Sequence, residues 1–311
     1  PSRKTSGGRM IDQTSADASS ASNAMLWAPS EERIAATRLW SFMQEVNAEY
    51  GTQLDSYDAV YDWSVNRLED FWEQIWDHFE ILGDKGYAPY LTSETDVKAA
   101  RFFPTAKVNF AENLLRYRDP ASEAIVSWTE AGHQETLSYQ ALCDRVSRMQ
   151  QWLQDQGVGH GDKVAVYLPN TPLAVITMLA TSSLGAVFSS ASPDFGVRGV
   201  LDRFEQIEPK VLVSVDGYTY AGKALDIRPK LEEIVAGLPS LEAVAIAPFL
   251  EDNPAVASIA KAQRLDHVLA KYDVAPLTYL RQTWTTRCIS CSRLAPQARP
   301  SALSTAKAAC C

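Results

Sequence analysis

Apolar positions recur at two different periods along this chain, and the change of period divides it. Leu39, Phe42, Met43 and Val46 repeat at helical spacing behind Pro29-Ser30. Leu68, Phe71, Trp72, Ile75, Trp76 and Phe79 form a second, aromatic stripe at the same spacing. A stripe that wide predicts a helix packed on a larger body, with His78 beside it as a structural residue. From Ala124 the pattern shifts. AIVSW and ETLSY predict two short strands, and ALCDRVSRMQQWLQDQG predicts an amphipathic helix ending at Gly157. KVAVYLP, AVFSSASP, KVLVSVDG and LEAVAIAPF read as buried strands. LAVITMLATSSLG, VRGVLDRFEQIEP and ALDIRPKLEEIVAGLP read as the helices between them. Alternation at this unit length predicts an α/β fold, a parallel sheet flanked by helices on both faces.

Composition narrows the partners. The 311 residues carry a net charge of −9, which disfavours nucleic acid and anionic membrane surfaces while leaving room for a local basic pocket. No apolar run is long enough to cross a bilayer. Residues 1–24 are polar and Ser/Ala-rich, so a disordered extension is expected there, with Met25 or Met10 as the true start. One cysteine, Cys143, precedes Ala275, which suits a reducing, cytoplasmic location.

Two tempting motifs fail on their context. The glycines of GVGHGDKVAV precede a strand, whereas a dinucleotide loop follows one, so Gly157 to Gly161 reads as a helix C-cap and turn. His78, His133, His160 and His267 have no metal-ligand spacing, and no metal site is expected. Cys288-x-x-Cys291 and the terminal Cys310-Cys311 pair lie in sequence with neither acidic residues nor periodicity. A redox pair opens a helix after a strand, and a zinc site needs a second pair at suitable spacing. Neither is present.

Several stretches together resemble one family. RFFPTAKVNFAENLLRYRD, YLPNTPLAVITMLATSSLGAVFSSASPDFGVRGVLDRFEQIEPK and VLVSVDGYTYAGKALD are similar to the acetoacetyl-CoA synthetases, a branch of the adenylate-forming acyl-CoA synthetases. The likeness runs from about Met25 to Ala275. It implies a helical N-terminal cap over 25–120 and a partial AMP-binding domain over 121–279. It also implies acetoacetate–CoA ligase lineage in lipid and fatty acid metabolism, with acetoacetate, CoA and ATP as small-molecule substrates and Mg as ATP's partner. An acetyl- or propionyl-CoA synthetase fragment, or a non-catalytic CoA-binding remnant, are the alternatives. In related acetyl-CoA synthetases the strand matching AVFSS and the loop matching YAGK approach the CoA nucleotide. Carried over, the expected CoA-binding residues are Phe188, Ser189, Ser190, Tyr220, Ala221, Gly222 and Lys223. Tyr220 stands where the acetyl branch has arginine.

In this family a Ser/Thr/Gly-rich phosphate loop follows the point where the likeness stops. Codons can be chosen for Cys288 onward that encode the present residues and, read one base earlier, spell LYIMFSSGTTG. The same shift turns Arg299–Cys311 into TPKCIVHGKGG followed by two apolar residues. The last two bases of each recovered codon are dictated by the present residue, up to codon family, and only the first is free. The expectation is an ATP loop translated out of frame, with the switch at or shortly before Trp284. Residues 280–311 are then expected to be a disordered tail, and the chain a truncated fragment that holds no catalytic residue and binds ATP and Mg poorly.

Overall fold

The structure, a computed structural model, describes residues 27–93, 96–116, 119–283, 285–292 and 302–304; the extension expected over 1–24 lies outside them. The chain divides into two compact units, Pro1–Asp62 and Trp63–Cys311. In the first, helix α1 (Glu31–Ala35) is capped by Ser30 and α2 (Arg38–Tyr50) by Thr37, each hydroxyl accepting a first-turn N–H. Gly51, at φ 65°, ends α2 in the left-handed conformation that glycine adopts without steric cost. Phe42, Met43 and Val46 of the predicted stripe are buried, while Leu39 is exposed. Helix α3 (Tyr57–Asn66) spans the division.

The second unit opens with α4 (Leu68–His78), the aromatic stripe. Trp76 lies against Phe103 with ring centroids 4.9 Å apart, and Trp72 meets Phe102 edge-on at 5.2 Å. The helix thus packs as predicted, on the segment that carries the short strands β1 (Gly83–Asp84), β2 (Leu91–Thr92), β3 (Arg101–Phe102) and β4 (Lys107–Val108). Asn109 caps α5 (Phe110–Leu115), and its amide donates to the carbonyls of Ser182, Ser183 and Leu280.

Strands β5 (Glu123–Thr129) and β6 (Gly132–Ser138) pair as a hairpin, and Ser138 caps α6 (Tyr139–Asp155). Beyond the Gly157–Gly161 turn come β7 (Lys163–Tyr167), α7 (Pro172–Ser183), β8 (Val187–Ala191), α8 (Val197–Phe204) and β9 (Val211–Val215). A second hairpin, β10 (Gly217–Tyr220) and β11 (Lys223–Asp226), precedes α9 (Arg228–Gly237). The chain continues through β12 (Ala243–Ala247), β13 (Ala262–Arg264) and α10 (Leu265–Leu269). Five strands form one parallel sheet in the order β13-β12-β9-β7-β8, as the strand–helix alternation predicts. Every residue of β9 is buried, because helices cover both faces.

Three expectations need correction. Ala224–Asp226, read as the start of a helix, pair in a strand with Gly217–Thr219 instead, and the helix begins at Arg228. Helix α8 stops at Phe204, and Ile207 is buried in the turn that follows. The described part of the supposed tail is also built into the fold. Leu280 donates its N–H to Ser183, Arg281 pairs with Glu112 at 2.6 Å, and β14 (Gln282–Thr283) pairs with β4. Ile289 bridges Phe188 in parallel, and β15 (Ser290–Ser292) pairs with β16 (Ala302–Ser304). An exposed edge of β8 has free N–H and C=O groups, so a neighbouring segment lies along it even without apolar alternation. Residues 293–301 and 305–311 lie outside the described residues.

Candidate functional site

Strand order places the topological switch between β7 and β9, and open parallel sheets hold ligands outside the C-terminal strand ends at such a point. A cavity of about 1140 Å³ opens there. Its lining includes Asn170 and Thr171 ahead of α7, Val215 at the end of β9, Tyr218 and Thr219 on β10, and Glu130.

The β10–β11 hairpin rises from this edge. Tyr220 and Lys223 are its last pair, and the two turn residues have positive φ, Ala221 at 50° and Gly222 at 72°. That is the type I′ geometry whose twist suits a tight hairpin, with a small strain cost at alanine. Glu130, in the turn between β5 and β6, holds the turn from outside. Its Oε1 accepts the Ala221 N–H and its Oε2 the Gly222 N–H, both at 2.8 Å. These two backbone donors, Gly222 foremost, hold the Glu130 carboxyl below the usual carboxylate range.

The hairpin base is held by a buried carboxylate. Asp216 Oδ1 accepts the N–H groups of Phe249 and Leu250 at 2.8 and 3.0 Å, and Oδ2 accepts that of Glu251 at 2.9 Å. Gly217 follows because a Cβ there would collide with the Leu225 carbonyl and the Leu250 side chain. Arg228 pairs with both Asp226 and Glu251, and its bond to Asp226 lowers that carboxyl's pKa.

Between base and tip, Tyr218 donates its hydroxyl to Asp194 at 2.8 Å. Burial, reinforced by Asp194, pushes the Tyr218 phenol up to about 12. The Tyr167 hydroxyl lies 2.9 Å from the Pro193 carbonyl and 2.7 Å from that of Phe195, and burial raises it to about 12 as well. The loop after β8 is therefore tied to both the sheet and the hairpin by protonated phenols.

Placed on this frame, the seven expected residues separate. Phe188 is buried in the core, and Ser189, also buried, donates its hydroxyl to the Ser290 carbonyl at 3.0 Å. Ser190 is exposed. Tyr220, Ala221, Gly222 and Lys223 are all exposed at the hairpin tip, where the N–H groups of Ala221 and Gly222 are taken by Glu130. Lys223 makes no ion pair among the described residues. The Tyr218–Asp194 bond links the hairpin to the loop that follows Ser190. Sequence reasoning missed Glu130, Asp194, Asp216 and Tyr218; among these, only the Asp-Gly pair at 216–217 is a local turn signal. Among the described residues no group of three or more His, Cys, Asp or Glu side chains could hold a metal ion, and no helix is long and apolar enough to cross a membrane. His78 stands edge-on to Phe79.

Comparison with known proteins gives the same region a relationship. The profile of the AMP-binding enzyme family matches residues 114–279. Acetoacetyl-coenzyme A synthetase of Rhizobium meliloti (strain 1021) is 37% identical over 257 residues, 82% of this chain and 39% of that protein. Malonamoyl-CoA synthetase of Penicillium aethiopicum is 36% identical over 233 residues, 71% of this chain and 31% of its own length. Among solved structures, acetoacetyl-CoA synthetase from Streptomyces lividans superposes with a TM-score of 0.79 at 32% identity, covering 90% of this chain and 43% of that one. The chain spans about two fifths of the length of the acetoacetyl-CoA synthetases it matches.

Proposed function

Because the chain belongs to the AMP-binding enzyme family, whose members are AMP-forming acid–thiol ligases, we propose that it is the N-terminal part of an acetoacetate–CoA ligase. Such an enzyme converts acetoacetate, ATP and CoA to acetoacetyl-CoA, AMP and diphosphate. A carboxylate is a poor electrophile because oxide is a poor leaving group, so transfer of AMP creates an acyl-adenylate that the CoA thiol then attacks. The observation that supports this reading best is the joint likeness in sequence and fold to acetoacetyl-CoA synthetases over four fifths or more of the chain.

Within that reaction the described residues serve the coenzyme. Ser190, Tyr220 and Lys223 face solvent at the C-terminal edge of the sheet, and Lys223 is free to pair with a CoA phosphate. Ala221 and Gly222 shape the turn, whereas Phe188 and Ser189 act from within the fold. ATP and Mg fit poorly: their loop must be rich in Ser, Thr and Gly directly after a strand, and the residues after β8's neighbour are Arg293-Leu294-Ala295-Pro296. No step through ATP is therefore assigned to this chain, and it does not complete the reaction alone.

A reading-frame switch near Trp284 accounts for that misfit. Residues 288–290, which bond β8 at Phe188 and Ser189, and β15 (Ser290–Ser292) together cover the positions at which the alternative frame spells LYIMF, a more apolar segment leading into SSGTTG. DNA sequence around the codons for Tyr279 to Trp284 tests it. One inserted or deleted base should restore LYIMFSSGTTGTPKCIVHGKGG; other frames without such a loop would remove the idea. A second reading, with a different acyl group, rests on the similarity to a malonamoyl-CoA synthetase. Thioester formation by the restored protein with acetoacetate, malonamate, acetate and propionate separates them. Acetoacetate should lead, and turnover by the present chain would overturn the assignment of inactivity.

A further inference from the structure

A second cavity, of about 420 Å³, lies at the opposite end of β8 from Ser190, where Gly185 and Ala186 lead into the strand. Its other walls are α4 with Ile81, α5, and the segment from Leu280 to Cys288. The volume falls in the range of about 300–1,000 Å³ that is common for small-molecule sites. Polar side chains pin these walls to one another and so spend their hydrogen bonds outside the interior. Asn113 exchanges two bonds with the backbone of Leu82, at 2.9 and 2.8 Å, and Arg116 donates to the carbonyls of Phe79 and Glu80. Asn109 holds Ser182, Ser183 and Leu280 together, and Thr283 bonds Thr286 at 3.1 Å. Much of the remaining lining is apolar, with Trp72, Ile75, Val108 and Phe110 among it. Phe79, Leu114 and Leu280, 45–47% exposed, leave the rim open to solvent.

The polar groups left without a partner can all donate. The hydroxyl of Ser182, a residue 4% exposed, and the Nε2 of Gln282 are buried with no acceptor among the described residues. Gly185 makes room for that amide, since a Cβ there would lie 1.8 Å from the Nε2. Arg116 and Arg287 are exposed members of the lining, and neither has a carboxylate partner among the described residues. Among the described residues no Asp or Glu lines the cavity. An apolar interior with unmet donors and two cations is complementary to an alkyl chain that carries one anionic head. We propose that this cavity binds a medium-chain monocarboxylic acid, with its chain inside and its carboxylate on Arg287 and Arg116. Two guanidiniums on a chain of net charge −9 suit a single free acid better than an anionic lipid surface. The walls are already pinned, so the acid meets a preformed site. The proposal does not depend on the coenzyme reading, because the cavity lies at the N-terminal end of β8, away from the β10–β11 hairpin.

Calorimetric titration of the present chain with decanoate, octanoate and 1-decanol tests this. Decanoate should bind one to one. Octanoate should bind about 15-fold more weakly, at about fourfold for each buried methylene, and decanol about tenfold more weakly for want of the charge. Arg287→Gln should remove most of the preference for decanoate over decanol while leaving the affinity for decanol unchanged, and Arg287→Lys should restore it. Both variants should unfold at the wild-type midpoint, because Arg287 is exposed. Leu114→Glu, which brings a carboxylate into the lining, should weaken decanoate far more than decanol. Equal affinity for decanoate and decanol, a preference that survives Arg287→Gln in full, or uptake without saturation would overturn the proposal. So would sedimentation with phosphatidylserine vesicles by a chain that does not bind decanoate, which would assign the cavity rim to a lipid surface. None of these results touches the coenzyme reading, which binding of CoA decides separately.

Discussion

Strand β9 and the β10–β11 hairpin are consecutive in the chain and opposite in every physical respect. All five residues of β9 are buried between two parallel neighbours, whereas every residue from Thr219 to Asp226 is exposed. Burial of apolar surface fixes the first. Polar contacts to distant elements fix the second: Asp216 at the base, Tyr218 midway and Glu130 at the tip. The region that carries the candidate site therefore contributes little to the core, and substitutions should affect stability and ligand binding separately.

The largest effect is expected in β9. Leu212→Ala removes a fully buried side chain and should cost about 2–5 kcal/mol, read as a lower denaturant midpoint with loss of the whole fold. Asp216→Ala comes next, at about 3 kcal/mol, because it leaves three N–H groups without their acceptor. It joins the two regions, so it should lower the global midpoint and also free the hairpin, visible as faster amide exchange from Thr219 to Ala224. Unchanged exchange there would separate the hairpin from Asp216.

Tyr218→Phe should cost about 1 kcal/mol, the net value of one hydrogen bond. Its pH dependence has a definite sign. The folded phenol is raised to about 12 from an ordinary value of 10, so its contribution is complete below pH 10 and fades as pH climbs from 10 towards 12. Tyr167 behaves alike, so an unfolding midpoint flat across that range would contradict the burial of both phenols. The smallest global effect belongs to Glu130→Gln. Its carboxyl is lowered, so its hold on the tip is complete above the ordinary carboxylate range and fades as acid protonates it. The variant should leave the midpoint unchanged and accelerate exchange of the Ala221 and Gly222 amides alone.

How far each region is legible in the sequence follows the same division. The helical stripe of α6 and the apolar runs of β7, β9 and β12 state their own structure, because one period settles each. Lys223–Asp226 does not. Ala-Leu-Asp ahead of an Arg-Pro helix start has helical composition, and the strand exists only through its partner across an Ala-Gly turn. Ser189 and Ser190 are adjacent and identical, yet one is buried by the Ser290 carbonyl, which arrives from 101 residues away. Glu130 meets the tip across 91 and 92 residues. Contacts at that separation leave no local pattern. The segment after 280 adds another lesson, since a strand edge can order a neighbour whose own sequence has no alternation.

The division between a structural sheet and a hairpin proposed to face the coenzyme can be measured in one titration. Isotope-labelled chain titrated with CoA should show amide shifts at Ser190, Tyr220, Ala221, Gly222 and Lys223, with β9 unmoved, and Lys223→Glu should abolish the tip shifts while the remaining spectrum stays that of the folded protein. Shifts confined to the sheet, or a tip that does not respond to CoA, would contradict it.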